Sequence, residues 1–578
     1  MSGLLSTREQ FELMAPNRVD LGRYLAFVPE RTTPADPCPN CLALWWSDRR
    51  RAANEPDTVT PPTLLHRMER RLERISDERP SPGTQRVNLL DRLTGEVTKH
   101  TLAPHPGCAE CGATVTASPS DIGAALNDAD QLDGESWRLR PLDAQALRGA
   151  LLEPTWGPLL GVIREDTSEA CLTRVPVNLP SQGSFVAGYG RGSTFTGSEG
   201  PALVEALERL VSAAPIEPAT RVLHASFREI RDEAFDPRRL GSHNPRHVGH
   251  SRSILTPFSE DVATSWVTSW STLEERGLYV PAHVAYWRVH DNLPKFAYSS
   301  SSGTATGGSM AEAVLYGLFE LIERDAFLLM WHGRVALPQV RWEHIPRAAE
   351  LASRLERNGM RLRVLDATTE FGVAVSVAVI EASPDTVGLG RNRALNVAAG
   401  AHFDQDIATL SAIDEAANNA LMYGRWSTET PAHFEPDRFL PMLDDFSLVE
   451  VLEDHEGVFG LNEARPHWSF LTAGFSHPPR MPRKPKASRT LGVALHDLMT
   501  EFHRRKMDVI VIDQSQLRSQ PGQLRTVRVV VPELLAMTFG HVHSRLHNSQ
   551  RLNAAHRSLV AALNGASPPV NPVPHPFP

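Results

Sequence analysis

Over residues 310–331 the chain is apolar at most positions, and four of the exceptions form a stripe: Glu312, Tyr316, Glu320 and Glu323, spaced by four, four and three. That spacing puts them on one face of a buried helix. Carboxylates in such a place must be paired or bound to a cation. A second apolar helix is predicted around ALVEALER at 202–209, which matches GLFELIER at 317–324 in register, 115 positions later. Each copy sets two glutamates three apart, Glu205 with Glu208 and Glu320 with Glu323, followed by Arg209 or Arg324. Adjacent helical residues do not face each other, so ion pairing between Glu208 and Arg209, or Glu323 and Arg324, explains the pattern poorly. A third helical stretch at 411–418 repeats the three-residue spacing with Glu415 and Asn418. Glu312 has a second reading, because it follows Ser309 by three as in a capping box; both readings stand.

From Trp156 onward, strand and helix signals alternate. Strands are predicted at 283–290, 361–366, 373–380, 507–513 and 526–531, all rich in branched residues. With helices between them the fold class is mixed α/β. Residues 121–135 read as a small acidic linker or helix, and 476–489 as a proline-rich basic stretch, an exposed loop or a dock for an acidic peptide. The segment 571–578 has proline at every second position, which forbids helix and predicts a stiff polyproline-type strut. By itself such a tail is disordered or a ligand for a proline-binding module.

Composition narrows the function. A length of 578 residues suits two or three domains with sizeable cores. A formal net charge of −9 argues against a nucleic-acid surface, and no apolar run approaches a membrane span, so we expect neither partner and a cytoplasmic location. Four of the five cysteines form two CxxC pairs, Cys38 with Cys41 and Cys108 with Cys111. This spacing predicts a structural zinc tetrathiolate; two disulfides are the rival, disfavoured in a cytosolic chain. Cys171 reads as a small apolar residue. Oxygen-only glutamate sets suit Mg²⁺ holding phosphates. In the stretch 188–194, GYGRGST, glycines would let backbone amides approach an anion and Arg191 would clamp a phosphate oxygen. It is neither a Walker loop nor a dinucleotide motif.

Together these residues resemble the YcaO family, whose members bind ATP and magnesium through glutamates on repeated helices and activate peptide amides. The signature SxxxExxER is met at 201–209 with Pro201 in the serine position, and the upstream GKG by Gly190, Arg191 and Gly192. The second signature is met by SSSGTATG at 300–307 with Glu320, Glu323 and Arg324, and ExxQ by Glu415 with Asn418. RVVVPE at 528–533 resembles the late strand. The resemblance covers the chain from about Pro154 onward. It implies ATP binding by Arg191, Ser193, Glu205, Glu208, Arg209, Glu312, Glu320, Glu323, Arg324, Glu415, Asn418 and Arg528, with Mg²⁺ on Glu205, Glu208, Glu320 and Glu323. It also implies an internally repeated α/β ATP-binding domain over 151–578. Residues 1–150, through the segment around 88–112, resemble the zinc-bearing end of a ThiF-like protein and would form a docking domain.

Azoline-forming members of the family typically end in alternating prolines that reach the active site. That implies a catalytic part for Pro576, Phe577 and Pro578. The implied activity is ATP-dependent cyclodehydration of Cys, Ser or Thr in a ribosomal precursor peptide; thioamide formation and a non-catalytic zinc scaffold are the alternatives. None of the 23 histidines is required, although His575 could move a proton. Implied partners are the precursor peptide, a separate ThiF-like protein that binds its leader, a flavin-dependent azoline dehydrogenase, and a second copy in a homodimer. The leader-binding partner is expected because the 37 residues before Cys38 are too few for a leader-binding module.

Overall fold

The computed structural model describes residues 18–31, 33, 36–53, 85–111, 116–128, 137–139, 141–166, 171–179, 186–247, 249–289, 291–388, 390–429, 435–472, 481–482, 490–517, 524–554 and 570–577. At the N-terminal end, β1 (Arg18–Leu21), β2 (Tyr24–Phe27), β3 (Gln85–Asp91) and β4 (Val97–Leu102) pair in sequence order as an antiparallel sheet. The β1–β2 turn closes on Gly22, whose N–H donates to Asp20 Oδ1 at 2.9 Å and whose φ of 75° suits glycine. Helix α1 (Pro39–Ala53) packs Leu42 and Trp45 on this sheet, and the Trp45 indole donates to the Ala103 carbonyl at 3.1 Å. Val19, Val87 and Leu89 share one apolar cluster with Leu203, Ala206, Leu207 and Leu210, so the N-terminal sheet is packed into the core that follows. Our reading of the sequence had no strands here, although the buried alternate positions of β3 carry the half-buried period.

Three strand-to-helix units organise the remainder. Antiparallel β5 (Ile163–Asp166), β6 (Cys171–Pro176) and β7 (Ala187–Gly192) feed α2 (Phe195–Ser212). Strands β8 (Leu223–Ser226), β9 (Ala263–Ser271) and β10 (Arg276–Pro281) precede β11 (Thr304–Gly307), which runs directly into α3 (Met310–Gly333). The third sheet is β12 (Met360–Asp366), β13 (Ala374–Ala382) and β14 (Leu395–His402), which feeds α4 (Gln405–Glu429). Thr194 and Ser309 cap their helices by accepting from Gly197 N and Glu312 N, both at 3.1 Å, and Asp404 Oδ1 accepts from Asp406 N at 2.9 Å. Finally β15 (Ile510–Asp513) and β16 (Arg525–Val530) insert between β9 and β11, completing a sheet in the order β10-β9-β15-β16-β11.

Strand β13 is buried on both faces: Val375, Val377 and Val379 meet the core around α3, while Ala378 and Ile380 meet Ala412, Ile413 and Ala416 of α4. No helix among the described residues is long and apolar enough to cross a membrane.

The fold is the mixed α/β expected, with one local correction. The described part of the segment predicted as a strand at 283–290, residues 283–289, is not a strand. After Pro281 ends β10, Ala282–Ala285 forms a helical turn with Tyr286 N donating to Ala282 O at 2.8 Å. Arg288 N then donates to the Ala213 carbonyl at 2.7 Å, while Val284, Ala285, Tyr286 and Val289 are buried against Val267, Ile510 and Ile512 of the sheet. The acidic stretch, read as a linker or a helix, begins as a helix, Pro119–Asn127, with a capping box between Ser118 and Asp121; residues 129–135 lie outside the described residues. The basic stretch at 476–489 also lies outside them, apart from 481–482.

Candidate active site

The three helices present their polar groups in one register. Glu205, Glu320 and Glu415 are each the eleventh residue of α2, α3 and α4, and Glu208, Glu323 and Asn418 are each the fourteenth. One strand-to-helix module thus recurs three times, and its carboxylates converge. Glu205 Oε2 accepts from Tyr189 N of β7, and Glu320 Oε2 from Gly303 N just before β11, both at 3.0 Å. Glu208 reaches Thr306 of β11, Glu323 reaches the backbone of Ala401 in β14, and Glu415 lies 3.5 Å from Arg191 of β7. Each helix therefore contacts the strand of the next unit, and the three contacts close a ring.

Burial dominates the electrostatics of this ring. The Glu208 carboxyl is pushed up to about 8 by desolvation, with Arg209 opposing and Glu320 and Glu205 adding to the rise. Glu323 is likewise pushed up to about 8 by desolvation, opposed by Arg324 and reinforced by Glu415 and Glu320. Three arginines line the ring. Arg209 reaches Glu205 at 3.1 Å and Ser301 Oγ at 2.5 Å, and Arg324 stands 3.6 Å from Glu320 and 3.8 Å from Glu323. Arg191 is the third. Asn418 donates to the Asp414 carbonyl at 2.6 Å while its Oδ1 is buried without a partner. Carboxylates whose ionised form is this disfavoured, beside an orphaned amide oxygen, fit a hard cation.

Not every expected residue joins the ring. Glu312 closes the first turn of α3: its carboxylate accepts from Arg138 at 3.0 Å, Leu139 N at 3.1 Å and Gly308 N at 3.1 Å. It lies two turns, roughly 12 Å, before Glu320 along the helix, where it holds the turn that enters α3. The glycines of β7 also have another cause. A Cβ on Gly188 would stand 2.2 Å from Ala206 N, and one on Gly190 1.8 Å from Ser198 O, so these glycines exist to let α2 pack on the strand. Arg528 donates to Ser300 O at 2.8 Å and Ser299 Oγ at 3.3 Å, beside the ring. Ser193 precedes the cap of α2, and its carbonyl accepts from Cys171 Sγ at 3.8 Å. Sequence reasoning missed Tyr189, Ser301 and Gly303, which hold ring residues; their signal is position, just before a motif helix.

The C-terminal tail enters the protein. Asn571 N donates to the His332 carbonyl at 2.7 Å, the Trp331 indole donates to Val573 O at 3.0 Å, and His455 Nδ1 donates to His575 O at 2.8 Å. Gly540 N donates to His455 Nε2 at 3.0 Å, which fixes the proton of that neutral imidazole on Nδ1. His575 Nε2 donates to Thr538 O at 3.0 Å, and Pro576 is buried. Phe577 is 0% exposed: its ring packs edge-on to Phe327 at 4.6 Å and lies 4.1 Å from the guanidinium carbon of Arg324. Pro578 lies outside the described residues.

In the N-terminal region, the four cysteines of the CxxC pairs are buried with their Sγ atoms all within 4.8 Å of one another. The Cys38–Cys108 and Cys38–Cys41 separations are 3.5 and 4.0 Å, too long for S–S bonds and near the roughly 3.8 Å edge of a tetrahedron with 2.3 Å Zn–S bonds. Arg31 donates to Cys111 Sγ at 3.6 Å, support that suits a thiolate.

Residues 189–535 match the family model described as YcaO cyclodehydratase, ATP- and Mg²⁺-binding. The chain belongs to the YcaO family. Among curated proteins, an uncharacterized Methanothermobacter thermautotrophicus protein is 26% identical over 238 residues, 40% of this chain and 56% of its own. An uncharacterized Rhizobium leguminosarum bv. trifolii protein, from the tfuA 3′ region, is 30% identical over 231 residues, 38% and 51% of the two chains. The chain thus spans about half the length of the curated relatives it matches. Among solved structures, a heterocyclase in complex with substrate and cofactor superposes with a TM-score of 0.68 at 20% identity, covering 96% of this chain and 76% of that one. The heterocyclase TruD gives 0.61 at 19% identity, covering 96% and 74%. These likenesses show a shared fold over 96% of the chain.

Proposed function

We propose that this YcaO protein uses ATP to cyclodehydrate Cys, Ser or Thr residues of a ribosomally made peptide to azolines. One observation carries the reading: the three-fold ring of carboxylates lies against the inner end of the proline tail, through Arg324 and Phe577. The tail also favours azoline formation over thioamidation, since the family's thioamide branch usually lacks it.

The chemistry assigns a task to each part. A side-chain thiol or hydroxyl adds to the preceding carbonyl carbon and gives a hemiorthoamide. Its oxygen accepts the γ-phosphoryl group of ATP, so ADP leaves. The C–O bond then breaks as the amide nitrogen loses its proton, leaving C=N and inorganic phosphate. Glu205, Glu208, Glu320 and Glu323 would hold Mg²⁺, which when bound neutralises phosphate charge and aligns the transfer. Arg191, Arg209 and Arg324 hold phosphate oxygens from the sides of the ring. Glu415 positions Arg191, and Asn418, whose side-chain oxygen has no protein partner, closes the third side. Pro576 and Phe577 would form one wall of the peptide site and keep water out. The four thiolates would hold zinc as a structural ion, with no position open to water, in a ThiF-like docking region for a partner that binds the leader.

The test incubates the protein with ATP, Mg²⁺, a Cys/Ser/Thr-rich precursor and its leader-binding partner, and follows peptide mass. Loss of one water per ring supports the reading; oxygen-to-sulfur exchange with a sulfur donor, or no change, refutes it.

A further inference from the structure

Beside the tail lies a cavity of about 220 Å³ that none of the ring residues lines. Leu328 and His332 of α3 form one wall, one and two turns beyond Arg324, roughly 6 and 12 Å along the helix. Pro572 and Pro574 of the tail form a second wall, and His541 and Leu546 a third. Among the described residues that line it there is no Asp, Glu, Lys or Arg. The cavity is instead rich in hydrogen-bond acceptors. His332 Nδ1 donates to the Asn571 carbonyl at 2.9 Å, which leaves Nε2 as an acceptor, and among the described residues nothing donates to it. His332 is 7% exposed. His575, also in the lining, gives its Nε2 proton to Thr538 O at 3.0 Å, and its Nδ1 is buried without a partner.

Burial lowers His332 and His541 to about 4 and His575 well below 6.5, so these imidazoles are neutral and present lone pairs. A buried acceptor left unpaired is unfavourable, and a ligand that brings a donor removes that penalty. An apolar cavity of about 150 Å³ takes up benzene, so this one suits roughly nine heavy atoms. Nucleotides are too large for it, and charged side chains would find no counter-charge. Small amide side chains would leave it underfilled. Phenylalanine would fill it but bring no donor. An aromatic ring with a donor meets both conditions, since its faces pack on proline and imidazole while its polar end pairs with His332. Of the two such side chains, tyrosine matches the volume and tryptophan exceeds it.

We propose that this cavity receives a tyrosine side chain of the peptide substrate, with the hydroxyl donating to His332 Nε2 and the ring against Pro572 and Pro574. The peptide as its source rests on the cyclodehydration reading, in which the reacting amide lies at the Arg324 end of this stretch of α3. At about 3.3 Å per extended residue, the tyrosine then stands roughly two to four residues from the cyclised position. The cavity selects which Cys, Ser or Thr is presented to the ring.

The probe is p-cresol, which is the tyrosine side chain without its backbone, and toluene is the control that lacks the donor. By calorimetry on the full-length protein, p-cresol should bind about tenfold more tightly than toluene. Ala536→Leu, which fills the cavity from its wall, should abolish p-cresol binding, and His332→Phe should bring the two ligands within about twofold. In the complex with the leader-binding partner, a precursor with tyrosine two to four residues from the cyclised position should displace p-cresol, and the same peptide with alanine there should not. Failure of p-cresol to bind wild type, equal binding of toluene, or unchanged p-cresol binding in Ala536→Leu overturns the proposal, whether or not His332→Phe folds. A tyrosine peptide that is cyclised yet never displaces p-cresol also overturns it and leaves the cyclodehydration reading intact. Displacement by a peptide whose mass never changes supports the pocket and sinks that reading alone.

Discussion

The ring of Phe577 lies 4.1 Å from the guanidinium carbon of Arg324, and Arg324 stands 3.6 and 3.8 Å from Glu320 and Glu323. Through one arginine, the last described residue of the tail is tied to the carboxylate ring. A cation over an aromatic face, desolvated here, contributes on the order of 2 kcal/mol, enough to hold both groups in place. In the function proposed above, this contact makes the tail a wall of the site.

Shortening the chain by Phe577 and Pro578 should therefore lower ring formation by about 100-fold while changing ATP affinity only a few-fold, because a misplaced wall costs orientation. Steady-state kinetics separates the two. Equal losses in kcat and in nucleotide affinity would mean that the tail only stabilises the nucleotide site.

Glu323 carries a pH signature. Its carboxyl is raised above the unfolded value, so the folded, metal-free protein holds a proton that the unfolded chain has lost, and this contribution declines as pH rises from about 4.5 through about 8. Glu323→Gln should flatten that decline: in EDTA the variant should melt with wild type near pH 5 and above it at pH 8.5. Its ATP consumption should fall by about 100-fold or more. A variant that melts lower at pH 8.5, or that keeps its ATPase, contradicts the assignment.

The buried histidines of the tail groove have the opposite sign. Desolvation lowers His332 and His455 to about 4 and His575 well below 6.5. Their charged or titratable neighbours are His541, Asp454, Arg324 and one another; Asp454 and the carbonyls of Asn571, His575 and Thr538 favour the charged form, and burial outweighs them. A folded value below the unfolded one gives stability that is present above about pH 6.5 and lost as pH falls toward 4. The tail should detach in that window. The emission of Trp331, taken as the difference from Trp331→Phe, should move to the red as its bond to Val573 opens; a constant difference spectrum from pH 7 to 4 would contradict this.

The site was legible in the sequence to the extent that helices carry it. The ExxE spacing on α2 and α3 needs only the 3.6-residue period, and Glu415 with Asn418 follows the same rule. What closes the ring was not legible. That Glu208 meets Thr306 and Glu323 meets Ala401 depends on how three sheets are placed, which no local pattern encodes. Residues 283–290 failed for a related reason: their apolar character reports burial, and Pro281 turned the buried segment from a strand into a helical turn. Gly188 and Gly190 read as anion-binding glycines because a close approach to a helix and one to a phosphate leave the same residue behind.

For the cysteine cluster, the expectation is one zinc per chain in protein purified without chelators, read by elemental analysis. Cys41→Ser should lose the metal and expose the sheet β1–β4 to proteolysis, since binding and folding are coupled in such units. A metal-free protein with an intact, protease-resistant N-terminal sheet would refute the tetrathiolate.

The central claim is tested most directly by following the mass of a precursor peptide and the release of phosphate in one reaction with ATP and Mg²⁺. The account predicts one water lost from the peptide for each phosphate released, and neither event with Glu320→Gln or Glu323→Gln. Phosphate release with a peptide of unchanged mass, or water loss that continues without ATP, would contradict it.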